Sequence, residues 1–178
     1  MVIFNEWLIF SLILLGIWIV IFVFRKSIRK EMFLVSLLTM PFGLTEPLFV
    51  PEYWSPPSLF NLAVKTGFDI ESLIFCFAVG GIGSVIYELF FRVKHKKMSK
   101  NETHNAKHKY HLLSLSSPII VFIILWLFTE LNPIYSASIS MLFWGLFAMM
   151  CRPDLNKKII FGGILFLYFV FCIFCSFQ

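Results

Sequence analysis

A chain of 178 residues that is 59% hydrophobic and only 14% charged, with a mean hydropathy of +0.86, cannot close into an ordinary water-soluble domain. Its formal charge of +5 would point to nucleic acid if the basic residues clustered on a polar surface. They sit instead in short loops between apolar runs, and no nucleic-acid partner is expected. Aromatic residues make up 19% of the chain, with 23 Phe, a composition suited to a protein that faces or handles lipid.

Six apolar segments follow in order, and the expected fold is an all-α integral membrane protein with six transmembrane helices. The first, Trp7 to Phe24, is uninterrupted and long enough to span. Its flanking bases (Arg25, Lys26, Arg29, Lys30) come after the apolar run, the reverse of a signal peptide. The second runs from Met32 to Phe49, with a kink expected at Pro41 and Gly43. A proline-rich stretch containing Pro47, Pro51, Pro56 and Pro57 cannot form a helix interior. It leads to the third segment, Ile70 to Phe91. A basic linker, residues 92–111, then divides a single membrane domain (1–178) into halves, 1–91 and 112–178. The second half holds segments Leu112 to Leu131, Ile134 to Met150 and Ile159 to Phe177.

Charge orients these spans. If the loops after segments one, three and five face the cytoplasm, they hold 14 of the 15 Lys and Arg, all but Lys65. Glu6, Glu46, Glu52, Asp69, Glu71 and Glu130 then lie on the far side. The positive-inside rule puts both termini outside. Three spans per half would relate the halves as inverted three-helix repeats, and Gly80-Gly81-Ile82 is echoed by Gly162-Gly163-Ile164.

Within the third segment Ser72, Cys76, Gly80, Gly83 and Tyr87 fall on one helical stripe, a small-residue face for packing in lipid. Glu71 lies roughly 100° from it, on a face shared with Phe75, Ala78 and Ile82. Glu46 ends the second segment and Glu130 the fourth, so both should lie near the depth of Asp69 and Glu71. Carboxylates at the threshold of an apolar helix are unfavourable unless used or paired. Such a cluster cannot hold every charge when desolvated, and a carboxylic acid that keeps its proton near neutral pH is a general acid. As helix-end groups, Asp69 and Glu71 would also suit the positive end of the third helix. The four cysteines (Cys76, Cys151, Cys172, Cys175) lie in or beside apolar runs and read as small buried hydrophobes. His104 and His108 stand four apart in the linker, without acidic or thiol partners at metal-site spacing. No metal or cofactor is expected.

The stretch Trp54-Ser55-Pro56-Pro57, followed by Gly67-Phe68-Asp69-Ile70-Glu71-Ser72-Leu73-Ile74-Phe75, resembles the membrane-embedded lycopene cyclase domain of actinobacterial, archaeal and fungal type. That family carries a tryptophan-bearing loop before a P-x-E-E-x-x-F-like motif that opens a transmembrane helix. Here Asp69 stands at the proline, Glu71 at the first glutamate, Ser72 at the second and Phe75 at the phenylalanine. The likeness covers 20 to 40 residues of the first half, and no second copy of the motif follows. The resemblance implies a cofactor-independent isomerase-type cyclase of a polyene or other isoprenoid, in the plasma membrane. Glu71, Glu46, Asp69 and Glu130 would be its acids, and Trp54 and Phe75 its substrate-facing rings. The reading from another class is a non-catalytic membrane protein that binds or moves an apolar molecule. It could equally scaffold an oligomer or a second membrane subunit through its small-residue faces.

Overall fold

The computed structural model describes residues 6–49, 58–91, 93 and 111–175. Every regular element among them is helical. The chain divides into two compact units, Met1–Phe90 and Phe91–Gln178. Four helical stretches are long and apolar enough to cross a membrane: Glu6–Phe24, Ile70–Phe90, Pro133–Cys151 and Pro153–Ile173. The helices of the second and fourth apolar segments are shorter than these four, 11 residues (Arg29–Thr39) and 18 residues (His111–Phe128), the latter with an apolar stretch of Leu113–Phe128.

The first unit is built around its last helix. Helix α1 (Glu6–Phe24) and helix α2 (Arg29–Thr39) are joined by a tight turn, and α2 passes directly into a 3-10 stretch, Met40–Leu48. A short helix α3 (Leu62–Thr66) precedes α4 (Ile70–Phe90), against which α1, α2 and the 3-10 stretch all pack. The expected kink at Pro41 and Gly43 is instead a change of helix type that persists for nine residues. Pro41 and Pro47 each delete a backbone donor and disfavour α geometry in the residue before them. The chain there adopts the tighter i to i+3 pattern, seldom so long except at strained or functional places.

Glycine is what lets these elements touch. A Cβ on Gly43 would stand 2.8 Å from the backbone of Ser72 and Leu73, so the 3-10 stretch lies directly on the first turn of α4. A Cβ on Gly80 would run into the Thr39 side chain, whose hydroxyl donates to the Cys76 carbonyl at 3.0 Å. One on Gly81 would collide with the Ser36 hydroxyl and the Trp18 indole. Those two groups are themselves joined, Trp18 Nε1 donating to Ser36 Oγ at 2.9 Å, and Ser36 Oγ donating on to the Met32 carbonyl. Three helices thus meet where two adjacent glycines of α4 leave room. Gly83, from the small-residue stripe, is half-buried. Gly81, which lies off that stripe, makes a close contact with α1 and α2.

The ends of α1 and α4 are closed by arginine. Arg25 Nη2 donates to the Leu89 carbonyl at 3.0 Å. Arg29 reaches back to the carbonyls of Phe22 and Val23, with its guanidinium over the Phe22 ring. Carbonyls of a last helical turn have no partner within the helix, and a cation there also suits the helix dipole.

In the second unit, α5 (His111–Phe128) and α6 (Pro133–Cys151) pack as a pair. Asn132 caps α6 by accepting from Ile134 N at 3.1 Å, with Pro133 at the first helical position. Among the described residues the buried side chains of this pair are serines: Ser114 and Ser117 on α5, Ser136 and Ser140 on α6. Small residues buried between helices are the packing device of lipid-embedded bundles. A 3-10 turn, Pro153–Leu155, leads to α7 (Asn156–Cys175). None of the four cysteines is in a disulfide; Cys76, Cys151 and Cys172 are half-buried, and Cys175 is exposed. The expectation of buried thiols is corrected to thiols on helix faces.

The glycine contacts give a direct test. Gly81→Ala should lower the thermal stability of the purified protein by about 1–3 kcal/mol through overpacking against Trp18 and Ser36. Gly163→Ala, where an added Cβ meets nothing within 4 Å, should be neutral or slightly stabilising. Equal melting temperatures for the two variants would refute the three-helix contact.

Candidate functional site

The first turn of α4 needs donors satisfied at its backbone, because the leading N–H groups of a helix have no partner within it. Asp69 stands at the N-cap, and its Oδ1 accepts from Ser72 N at 2.5 Å, the N3 position. In a capping box the N3 side chain would reach back to the N–H of the cap. Ser72 is too short for that. Glu46, at the end of the 3-10 stretch and 23 residues earlier, does it instead: its Oε2 accepts from Asp69 N at 2.9 Å.

Glu71, at N2, is turned to a third backbone group. Its Oε1 accepts from Leu59 N at 2.7 Å and so holds the 3-10 turn Leu59–Asn61 against the head of α4. Ser58 caps the same short segment by accepting from Ala63 N at 2.9 Å. Within it Phe60 has φ of 57°, a left-handed conformation that costs a non-glycine residue on the order of 1 kcal/mol or more, and its ring is exposed. At the far end of α3, Gly67 takes φ of 84° beside Pro47. Its N–H donates to the Ala63 carbonyl, a glycine helix stop.

The result is a group of three carboxyls withdrawn from solvent. Asp69 and Glu71 are 0% exposed and Glu46 is 6% exposed. The Glu46 carboxyl faces both the Asp69 carboxyl and the Ser72 hydroxyl. Glu46 Oε1 and Asp69 Oδ2 are buried without a hydrogen-bond partner among the described residues. No Lys or Arg among the described residues pairs with either of them. A buried polar oxygen left without a donor is costly, and where natural proteins keep one it commonly has a functional cause.

One turn below Glu71 on the same face is Phe75. Its ring lies 5.1 Å from Trp7 and 6.0 Å from Phe10, which stack on each other at 5.7 Å. The acids therefore sit above a cluster of three rings contributed by α1 and α4. A second cluster, Trp18, Phe22 and Phe77 with Phe33 of α2, lies farther along the same two helices.

Of the six residues singled out from the sequence, the structure brings Glu46, Asp69 and Glu71 together and sets Phe75 beneath them. Trp54 lies outside the described residues, as do Glu52 and the linker histidines His95, His104 and His108. Glu130 belongs to the second unit and is exposed. Sequence reasoning missed Trp7 and Phe10, although their spacing of three put both rings on one face of α1. It also missed the Leu59 N–H, for which no sequence signal exists. Among the described residues no group of three His, Cys, Asp or Glu side chains converges on a metal-sized site. The three carboxyls address three different backbone groups. Comparison with protein-family models, with curated proteins and with solved structures finds no match for this chain.

The capping geometry can be separated from any chemistry by stability. Asp69→Ala should cost about 0.5–2 kcal/mol, the usual loss of an N-cap, whereas Asp69→Asn should retain most of the stability because the amide oxygen can still accept from Ser72 N. Indistinguishable unfolding midpoints for these two variants in detergent would show that Asp69 does not cap α4.

Proposed function

We propose that this chain is a six-span membrane protein that takes an apolar isoprenoid chain and cyclises it by acid catalysis, in the manner of the lycopene cyclases its sequence resembles. The observation that carries the reading is the juxtaposition of the buried Glu46–Asp69–Glu71 group with the Trp7–Phe10–Phe75 rings. Cyclisation of a polyene without net redox needs those two components. An acid protonates a terminal double bond, and π-faces stabilise the carbocation while the ring closes. Loss of a proton from a neighbouring carbon to a carboxylate of the same group restores neutrality. Glu71 is the donor in this scheme, because it alone both matches the family motif and opens an apolar helix. Glu46 and Asp69 stand behind it as partners for the returning proton. Burial supports the assignment by excluding water, which would quench a carbocation.

Two spans beyond the four long helices complete the count. Helix α2 and its 3-10 continuation together rise about 34 Å, and the 18 residues of α5 about 27 Å, close to the roughly 30 Å of a bilayer core. With 14 of 15 basic residues on one side, both termini lie outside the plasma membrane. A reporter fused at Gln178 should behave as extracytoplasmic; a cytoplasmic signal would refute this orientation.

The second reading, a non-catalytic carrier or scaffold, is favoured by one specific fact: all three carboxyls accept from backbone N–H groups and so have a structural task already. Expression in cells that accumulate a linear carotenoid, followed by pigment analysis, separates the two. On the enzyme reading, cyclised product appears and Glu71→Gln abolishes it while the amount of folded protein stays constant. No cyclised product from the unaltered chain would leave the carrier reading; full activity in Glu71→Gln would refute Glu71 as the proton donor.

A further inference from the structure

The second unit has a groove at one end that the acid site does not involve. It is enclosed by the start of α5, the end of α6 and the start of α7, and holds about 220 Å³. Its walls are Leu115, Trp144, Ala148 and Ile159, with Ser114 and Arg152 at polar positions. That volume is below the roughly 300–1,000 Å³ of sites for compact drug-sized ligands, and the lining is predominantly apolar. It suits part of a single hydrocarbon chain.

Cations gather at the same end. Arg152 is held by Asp154 in a two-pronged pair, Nε to Oδ1 at 2.9 Å and Nη2 to Oδ2 at 2.7 Å. Lys158 lies close enough to act on the same carboxylate. Lys157 is beside it, and both lysines are exposed. Two cations, Arg152 and Lys158, therefore stand against one carboxylate beside an apolar groove, with Lys157 next in the chain. The end of the unit they occupy is the one charge distribution assigns to the cytoplasm, where the membrane leaflet is anionic. Trp144 adds an amphipathic ring of the kind that favours a headgroup boundary.

We infer that this groove holds one anionic phospholipid, with its phosphate at Arg152 and Lys158 and an acyl chain along Leu115, Trp144, Ala148 and Ile159. A guanidinium and an ammonium together supply charge-assisted hydrogen bonds to phosphate oxygens. The apolar wall takes the part of the lipid that a free phosphate lacks. The inference requires that the chain be membrane-embedded and is independent of any cyclase activity.

The test uses the full chain in nanodiscs of phosphatidylcholine, with and without added phosphatidylglycerol. Phosphatidylglycerol should raise the melting temperature by on the order of 3–6 °C, as a ligand bound only by the folded state does. The paired change Lys157→Gln and Lys158→Gln should remove at least half of that rise, and Ala148→Phe, which fills the groove, should remove most of it. Each variant is compared with its own melting temperature in phosphatidylcholine alone, so a loss of basal stability does not enter. Should Ala148→Phe not fold, the lysine pair carries the test. Lys26→Gln with Lys30→Gln, in the first unit, should leave the rise intact. Three results would overturn the site: no rise with phosphatidylglycerol, an equal loss from the Lys26 and Lys30 changes, or the same rise produced by inorganic phosphate in phosphatidylcholine nanodiscs.

Discussion

The hydrogen bond from Asp69 N to Glu46 Oε2 is the contact on which the first unit turns. A helix that begins inside an apolar bundle must have its leading N–H groups satisfied without water. Here α4 cannot satisfy them alone. Asp69 serves the N3 position, but the cap's own N–H is served by a residue from another segment. The 3-10 stretch must therefore come within backbone contact of α4, which Gly43 permits and which the prolines at 41 and 47 prepare by denying it α geometry. Removing the carboxyl of Glu46 would strand a donor at the start of the helix that α1, α2 and the 3-10 stretch pack upon.

The same bond explains why a buried acid group can persist in so apolar a chain. Each carboxyl is held by backbone donors, so desolvation is met in part by charge-assisted hydrogen bonds. The compensation is incomplete: Glu46 Oε1 and Asp69 Oδ2 remain without partners among the described residues. Structure and chemistry are thus concentrated at one point. The helix start is stabilised by groups of the type that a proton-transfer site would also require.

Much of this was legible in the sequence. Composition and the spacing of apolar runs led directly to an all-helical chain, and the position of Glu46, Asp69 and Glu71 at segment ends brought them to one depth. Two things were not legible. The continuation through Pro41 and Pro47 as a 3-10 stretch depends on tertiary contact with α4, which outweighs the kink that proline in a helix ordinarily produces. The close contact at Gly81 depends on the rotation of α4 relative to Trp18 and Ser36, and a stripe of small residues cannot specify that rotation. The partner of Glu71 proved to be a backbone N–H. Main-chain donors are present at nearly every residue, and residue types give no hint of which one a side chain will reach.

Arg25 and Arg29 carry a consequence of another kind. They supply half of the positive charge of the turn between α1 and α2, and in the folded unit they also close the ends of α4 and α1. Lysine would keep the charge of that turn but offers no planar fork for the carbonyls. Charge and helix closure thus reside in the same two side chains, and a change that spares the one can still undo the other.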